Sequence, residues 1–345
     1  MDHHNASASR AFATTTSKLN NEPNNIAVLG AGITGLTTAY SLSRRLPNAK
    51  ITVYEAADRV GGWMRSERID VADGSIIFEK GPRTLRPHTP AGMATLALIK
   101  DLGLEDEILI TPKTSAAARN RYIYYPDHLV KMPGPGQDLY EILWALLTEP
   151  LFKGIFRAVF QEHGVPKRSE AVFDESIGHF LERRLGNRFV GDNIVGAVLH
   201  GIYAGDLYKL SMRSLLPVLW AMEGAYGSLV SAIIGKPDES MGPARIAKMF
   251  TDDEDMVLAQ GLLRTTGKMA RWEEMKDASV YTFRNGMQTL SDALEKTLRT
   301  SRNVQIKLGT DVTGISYDEK SAGVMVRLPS LIYPVWRFFL SSSHA

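Results

Sequence analysis

The 345-residue sequence contains no cysteine. That absence excludes disulfides, cysteine-ligated metals, iron–sulfur clusters and a thiol nucleophile, so any redox chemistry must come from a bound cofactor. No stretch of about eighteen uncharged apolar residues occurs, and a membrane-spanning helix is not supported. Neither sign of charge dominates: 40 Lys and Arg stand against 38 Asp and Glu. A nearly neutral chain implies no polyelectrolyte partner and points away from nucleic acid. No two histidines fall at metal-ligand spacing, so no metal is expected, and His200, alone on an apolar run, reads as a core or structural histidine. What is present is ordinary for a soluble globular protein, and the length suffices for two domains with substantial cores. Residues 1–25, rich in Ala, Ser, Thr and Asn with Arg10 and Lys18, read either as a mitochondrial transit segment or as a disordered tail.

The most informative stretch runs from Ile26 to Trp63. Ile26–Leu29 is a short apolar run of the kind that forms a buried parallel strand. It ends at Gly30, and Gly30-Ala31-Gly32-Ile33-Thr34-Gly35 spells G-x-G-x-x-G. A helical pattern follows (Leu36, Ala39, Tyr40, Leu42), and then a second strand, Lys50–Tyr54, that ends on Glu55. The first glycine makes the turn, the second lets a pyrophosphate approach the backbone, and the third lets the helix pack on the sheet. The free amides and positive dipole end of the helix then face the phosphates. Glu55, twenty residues past Gly35, stands where a carboxylate accepts bonds from a ribose diol. The pattern predicts an α/β dinucleotide-binding domain.

Arg59, Gly61 and Gly62 extend this pattern. Glu-x-x-x-Arg-x-Gly-Gly resembles the fingerprint of flavin enzymes of the amine oxidase and protoporphyrinogen oxidase group, in which the second segment continues along the pyrophosphate of FAD. Gly-Gly-Trp-x-Arg-Ser followed by Glu79-x-Gly81-Pro82-Arg83-Thr84 resembles the protoporphyrinogen oxidase family in order and spacing. The resemblance implies that Gly30, Ala31, Gly32, Ile33, Thr34, Gly35, Glu55, Arg59 and Gly62 hold FAD, and that Trp63 and Gly81–Thr84 wall the flavin. It implies that Val312 meets the adenine through its backbone. Arg119–Tyr124, an alternating segment fit for a strand, is similar to the family strand whose arginine faces a tetrapyrrole propionate. Arg121 is the candidate there, since its fork of donors fits a carboxylate. Gly201–Gly205 resembles the family Gly-x-Tyr/Phe-Ala-Gly segment, which places Gly205 near the ring system or makes it a helix-ending turn.

The implied organisation is a tail or transit segment (1–24), then an FAD-binding domain in two parts (25–84 and 280–327). A mixed substrate domain (85–131 and 226–279) is inserted, together with a helical, membrane-associating region (132–225). Met93–Leu102 reads as a helix capped by Gly103. Residues 139–160 are apolar with sparse charge and aromatics, which suits an interfacial helix and a core helix alike. Residues 242–275 look helical and polar, with Asp252–Asp255 a solvated acidic patch. Val280–Leu290 resembles the family strand into Gly-Gly-Met-Gln-x-Leu, followed by a helix and the strand Val304–Leu308. The tail 328–345, with Pro329 and Pro334 breaking any helix or strand, does not resemble the family. The chain is therefore expected to be a C-terminally truncated or mis-spliced fungal-like or other eukaryotic form, lacking the segment that closes over the flavin.

The resemblance covers about residues 25–327 and implies a Rossmann-like flavoprotein of haem synthesis. It would oxidise protoporphyrinogen IX to protoporphyrin IX with oxygen as acceptor, in three two-electron steps, with no catalytic acid–base pair required. It would sit peripherally on the mitochondrial inner membrane, with a homodimer among the implied assemblies. Two alternatives stand beside it: an inactive fragment that binds only membrane or a partner, and a related FAD amine oxidase or carotenoid desaturase.

Overall fold

The computed structural model describes residues 23–87, 90–134, 136–234, 261–262, 267, 269–318, 323–329, 332–335 and 337–340. In chain order the elements begin β1 (Asn25–Leu29), α1 (Ile33–Arg45), β2 (Lys50–Tyr54), β3 (Ser66–Val71), β4 (Gly74–Glu79) and α2 (Pro90–Asp101). There follow β5 (Ile108–Pro112), α3 (Ala116–Arg119), β6 (Tyr122–Tyr124), β7 (Leu129–Lys131), α4 (Leu139–Thr148), α5 (Ile155–Gly164) and α6 (Ile177–Leu185). Then come α7 (Gly196–Tyr203), α8 (Met212–Leu215), α9 (Pro217–Tyr226), α10 (Leu229–Ile234), α11 (Trp272–Lys276), β8 (Ala278–Phe283) and α12 (Gln288–Thr300). The chain closes with β9 (Val304–Lys307), β10 (Gly314–Asp318), β11 (Gly323–Arg327), β12 (Ile332–Val335) and β13 (Arg337–Leu340).

The chain divides into two compact units. The first holds the described residues up to Thr84, Asp101–Ile108 and those from Thr282 on; the second holds Leu85–Lys100 and Leu109–Tyr281. In the first unit β13-β1-β2-β9 form a parallel sheet. Ile26, Ala27, Val28, Ile51 and Val53 are all buried, as an apolar run without alternation requires of a sheet covered on both faces. α1 and α12 pack together, with Leu36 and Ala39 of the one and the i, i+4, i+8 stripe Leu290, Leu294, Leu298 of the other buried.

The end of the chain departs from expectation. Residues 328–345 were expected to hold no strand because of their prolines, yet β12 and β13 lie there. Pro334 sits opposite Met325 on the outer strand of the sheet β10-β11-β12, where a missing N–H costs no ladder bond. β13 lies parallel to β1, with Ile26 opposite Arg337. The segment Asp252–Asp255 and most of 242–275 fall outside the described residues, as do residues 1–22.

Three expectations are corrected in the second unit. The strand over Arg119–Tyr124 begins only at Tyr122, because Ser115 accepts the Ala118 amide and caps the helical turn α3 through Arg119. His200 is exposed on α7 rather than in a core. The turn after α7 is made by Ala204, with φ 49°, so Gly205 does not end the helix. The core of this unit gathers Ile177, Phe180, Leu181, Leu199, Leu207, Met212 and Trp220.

Beside that core lies a buried ionic cluster. Arg184 is 0% and Glu162 1% exposed, and they are paired directly. Glu162 also accepts from the Ser228 hydroxyl at 2.6 Å and the Leu229 and Val230 amides at 2.7 and 3.0 Å, which caps α10. Buried Glu223 binds Arg168 at 2.8 Å and Arg183 at 2.7 Å, and Arg168 lies 3.6 Å over the Trp220 ring. Burial by itself would raise both carboxylates, but these donors hold Glu162 and Glu223 below the usual carboxylate range. A lowered folded-state pKa contributes stability above the unfolded value and loses it as pH falls through the folded one. Denaturation midpoints should therefore hold steady near neutrality and drop below about pH 4.3. Arg184→Met should cost about 3–5 kcal/mol in urea unfolding near neutral pH, by stranding Glu162, and that cost should shrink as pH falls and the stranded carboxylate takes up a proton.

Candidate functional site

The site is built where β1 and β2 end side by side. The Gly30 amide donates to the Tyr54 carbonyl at 2.7 Å, which ties the first glycine of the turn to the tip of the neighbouring strand. α1 then starts at Ile33 with Gly32 as an extended cap that offers no side-chain acceptor. The first-turn amides thus face outward from a helix that is rigidly seated, an arrangement that suits an anion. The seating depends on Gly35: a Cβ there would stand 1.9 Å from the Gly30 carbonyl oxygen. Only glycine lets the helix backbone come that close to the turn. Thr34 is exposed, and Ala31 is buried beneath the loop.

Glu55 turns toward this loop. Its Oε2 accepts the Ala31 amide at 2.6 Å and its Oε1 accepts the Ala57 amide at 2.9 Å. Each carboxylate oxygen keeps a further lone pair, so the fixed group can still accept from a diol. The Gly61 amide donates to the Ala31 carbonyl at 2.9 Å, and Gly61 bridges Gly32. The second glycine pair is thereby laid against the first, with Gly62 exposed beside Gly32.

Arg59 was expected to hold the dinucleotide. In the structure its guanidinium donates to carbonyls of its own loop, those of Gly62 at 2.7 Å, Val60 at 3.0 Å and Met64 at 3.3 Å. These bonds shape the loop. Trp63 is 74% exposed, and the Gly81 backbone lies directly against the Trp63 carbonyl, with Pro82, Arg83 and Thr84 exposed after it. Val312 is half-buried against Ala27, Leu29, Tyr54 and Val326. The loop leading to it is tied to the site by the Thr310 amide on the Glu55 carbonyl at 2.7 Å and the Gly309 amide on Ala57 at 2.8 Å. Sequence reasoning missed Gly309 and Thr310, because backbone donors leave no side-chain signature.

The expected residues up to Thr84, with Val312, thus fall in the first unit, whereas Arg121 and Gly205 belong to the second. Arg121 is exposed and donates to the Ala117 and Asn120 carbonyls at 3.0 Å. A Cβ on Gly205 would meet the Leu210 side chain at 3.0 Å, so the glycine makes room for packing within its own unit.

The donor set fits a dinucleotide: uncapped helix amides for a pyrophosphate, and a fixed carboxylate for a ribose. The flavin containing amine oxidoreductase family model matches residues 33–330. The protoporphyrinogen oxidase of Schizosaccharomyces pombe is 36% identical over 289 residues, which cover 82% of this chain and 56% of that protein. The human protoporphyrinogen oxidase is 32% identical over 291 residues, covering 84% of this chain and 54% of its own. The chain spans about half the length of these relatives. A crystal structure of an Exiguobacterium protein assigned as a protoporphyrinogen oxidase shares the fold, with a TM-score of 0.58 at 22% identity over 93% of this chain and 59% of that one. Glu55→Ala removes an ionised acceptor and should weaken FAD binding about tenfold or more in a fluorescence-quenching titration.

Proposed function

Since the chain belongs to the flavin containing amine oxidoreductase family, whose cofactor is FAD, we propose that it binds FAD and serves the oxidation of protoporphyrinogen IX to protoporphyrin IX with oxygen as acceptor. The observation that carries the reading is the Glu55 carboxylate, set over the Ala31 amide beside the uncapped start of α1. The matches to protoporphyrinogen oxidases over most of this chain favour a porphyrinogen over an amine as substrate.

Bound there, FAD would supply a hydride acceptor for the substrate and a route for its electrons to oxygen, used three times per macrocycle. The residues of this chain bind and orient. In this reading the amides of Ile33, Thr34 and Gly35 hold the pyrophosphate and Glu55 the ribose. Trp63 and the loop Gly81–Thr84 border the ring, with the shape of the Gly61–Met64 turn set by Arg59. Arg121 pairs with a substrate propionate, since a guanidinium fork matches a carboxylate and its exposed position leaves it open to solvent. Gly205 belongs to the substrate side of the same proposal.

The reading includes a peripheral seat on the mitochondrial inner membrane and a homodimeric assembly. Support for the membrane comes from α4, where Leu139, Tyr140, Leu143, Trp144 and Leu147 share one face and are all exposed. On α5, Phe156 and Phe160 are exposed as well, the latter 86%. Large apolar faces of this kind mark interaction sites, and aromatic residues suit the headgroup boundary. Among the described residues no helix is long and apolar enough to cross a membrane.

The exposed apolar face of α4 also suits a second reading, of an inactive chain that binds only membrane or a partner. Purified chain should show oxidised-flavin absorbance, and should generate porphyrin fluorescence with oxygen uptake when given protoporphyrinogen. A yellow but inert protein removes the oxidase reading, and a colourless one removes FAD binding with it and leaves the second reading. Replacing Trp144 and Phe160 together by Ser should lower partition onto phosphatidylcholine vesicles containing an anionic lipid about tenfold or more, measured by co-sedimentation.

A further inference from the structure

The base of the β3–β4 hairpin is sealed to the start of α12 by hydrogen bonds that the proposed function does not use. Glu79 ends β4, and its Oε1 accepts the Met287 amide at 2.7 Å. Its Oε2 accepts the Ser66 hydroxyl at 2.7 Å. That hydroxyl in turn accepts the Gln288 amide at 3.1 Å, while the Gln288 side-chain oxygen accepts the Ser66 amide at 3.1 Å. The seal is tight enough to exclude any side chain at Gly286, where φ is +90°. A Cβ there would stand 2.4 Å from the Ser66 hydroxyl oxygen and 2.8 Å from Glu79 Oε1.

Two surfaces assigned to the flavin leave from this seal. On one side the chain runs from Glu79 directly into Lys80 and Gly81. The Lys80 amide donates to the Arg65 carbonyl at 2.8 Å, and Gly81 is stacked on the Trp63 carbonyl. On the other side the first turn of α12 carries buried Ser291, whose hydroxyl oxygen lies 3.0 Å from where a Gly61 Cβ would be. The N-terminal end of α12 therefore touches the Gly61–Met64 turn and, through Glu79, fixes the strand end from which the Gly81–Thr84 loop departs.

We propose that Glu79 is a positioning residue for the ring-bearing half of the cofactor. By accepting Met287 and Ser66 together, its carboxylate sets the separation of the Trp63 turn and the Gly81–Thr84 loop. The inference rests on the FAD reading of the site. A carboxylate suits the role because both of its oxygens accept. A glutamine must turn its NH2 group either toward the Met287 amide, which cannot accept, or toward the Ser66 hydroxyl, which must then send its own proton elsewhere. None of the hydrogen bonds of the seal is made to α1 or to Glu55, which in the proposed function hold the pyrophosphate and the ribose.

The test compares two probes on the full chain, FAD and ADP, by titration calorimetry. Glu79→Ala and Ser66→Ala should each weaken FAD about tenfold, as loss of bonds to a charged acceptor does, and leave ADP affinity within about twofold, as a separate locus requires. Glu79→Gln should fall between wild type and Glu79→Ala. Where Glu79→Ala does not fold, Ser66→Ala and Glu79→Gln decide alone. Equal losses for FAD and ADP would show a general structural role and overturn the proposal, as would unchanged FAD affinity. Wild-type chain that binds ADP but not FAD, or neither, overturns the FAD reading itself and the proposal with it.

Discussion

The first unit depends on one crowded point, where the backbone of α1 passes the carbonyl of Gly30 with no room for a methyl group. Because that approach is so close, the helix cannot slide or rotate on the sheet without breaking van der Waals contact along Leu36 and Ala39. The amides at its start are therefore held in a fixed place relative to the tips of β1 and β2. Glu55, bonded to the Ala31 amide, adds a negative charge at the same tip. A positive helix end and an acceptor-only carboxylate stand together because a nucleotide carries both anionic phosphates and hydroxyl donors.

The two units are held together internally by different means. The first relies on apolar parallel strands and helices that need glycine to reach them. The second has an apolar core but seats polar anchors beside it, Arg184 on Glu162 and Arg168 and Arg183 on Glu223. Such pairs cost desolvation and add little net stability compared with an apolar filling, but they penalise misplacement severely. Here they lock the ends of α5, α6, α9 and α10 into register. α4, by contrast, has no fully buried residue and engages its unit through partly buried residues such as Ala145 and Leu146.

Much of the nucleotide-binding half was legible in the sequence. An apolar run, three glycines at fixed spacing and an acid at the next strand end are local features whose physics does not wait on the rest of the chain. The orientation of Glu55 follows from them. Illegible were the features set by remote partners. The strands in the tail depend on β1 and β11, and Pro334 is harmless only because it lies on an outer strand. Ser115 overrode the alternating pattern around Arg119–Tyr124 by capping a helical turn. His200 and Gly205 were misjudged because an apolar neighbourhood and a glycine each have several structural uses. The pairing of Glu162 with Arg184 was illegible, since two charges on separate helices announce their partnership only in three dimensions.

The pairing of β2 with β9 sets Ile51 beside Val304. Every residue of the second unit is synthesised between these two neighbours. The glycine loop is thus made before the second unit, and the strand that buttresses its sheet only after it. Contacts this distant in sequence form slowly, because the entropy of closing so long a loop precedes any gain from it. The sheet around the glycine loop is consequently completed late, and until then its apolar strands stay open to chaperones and to aggregation.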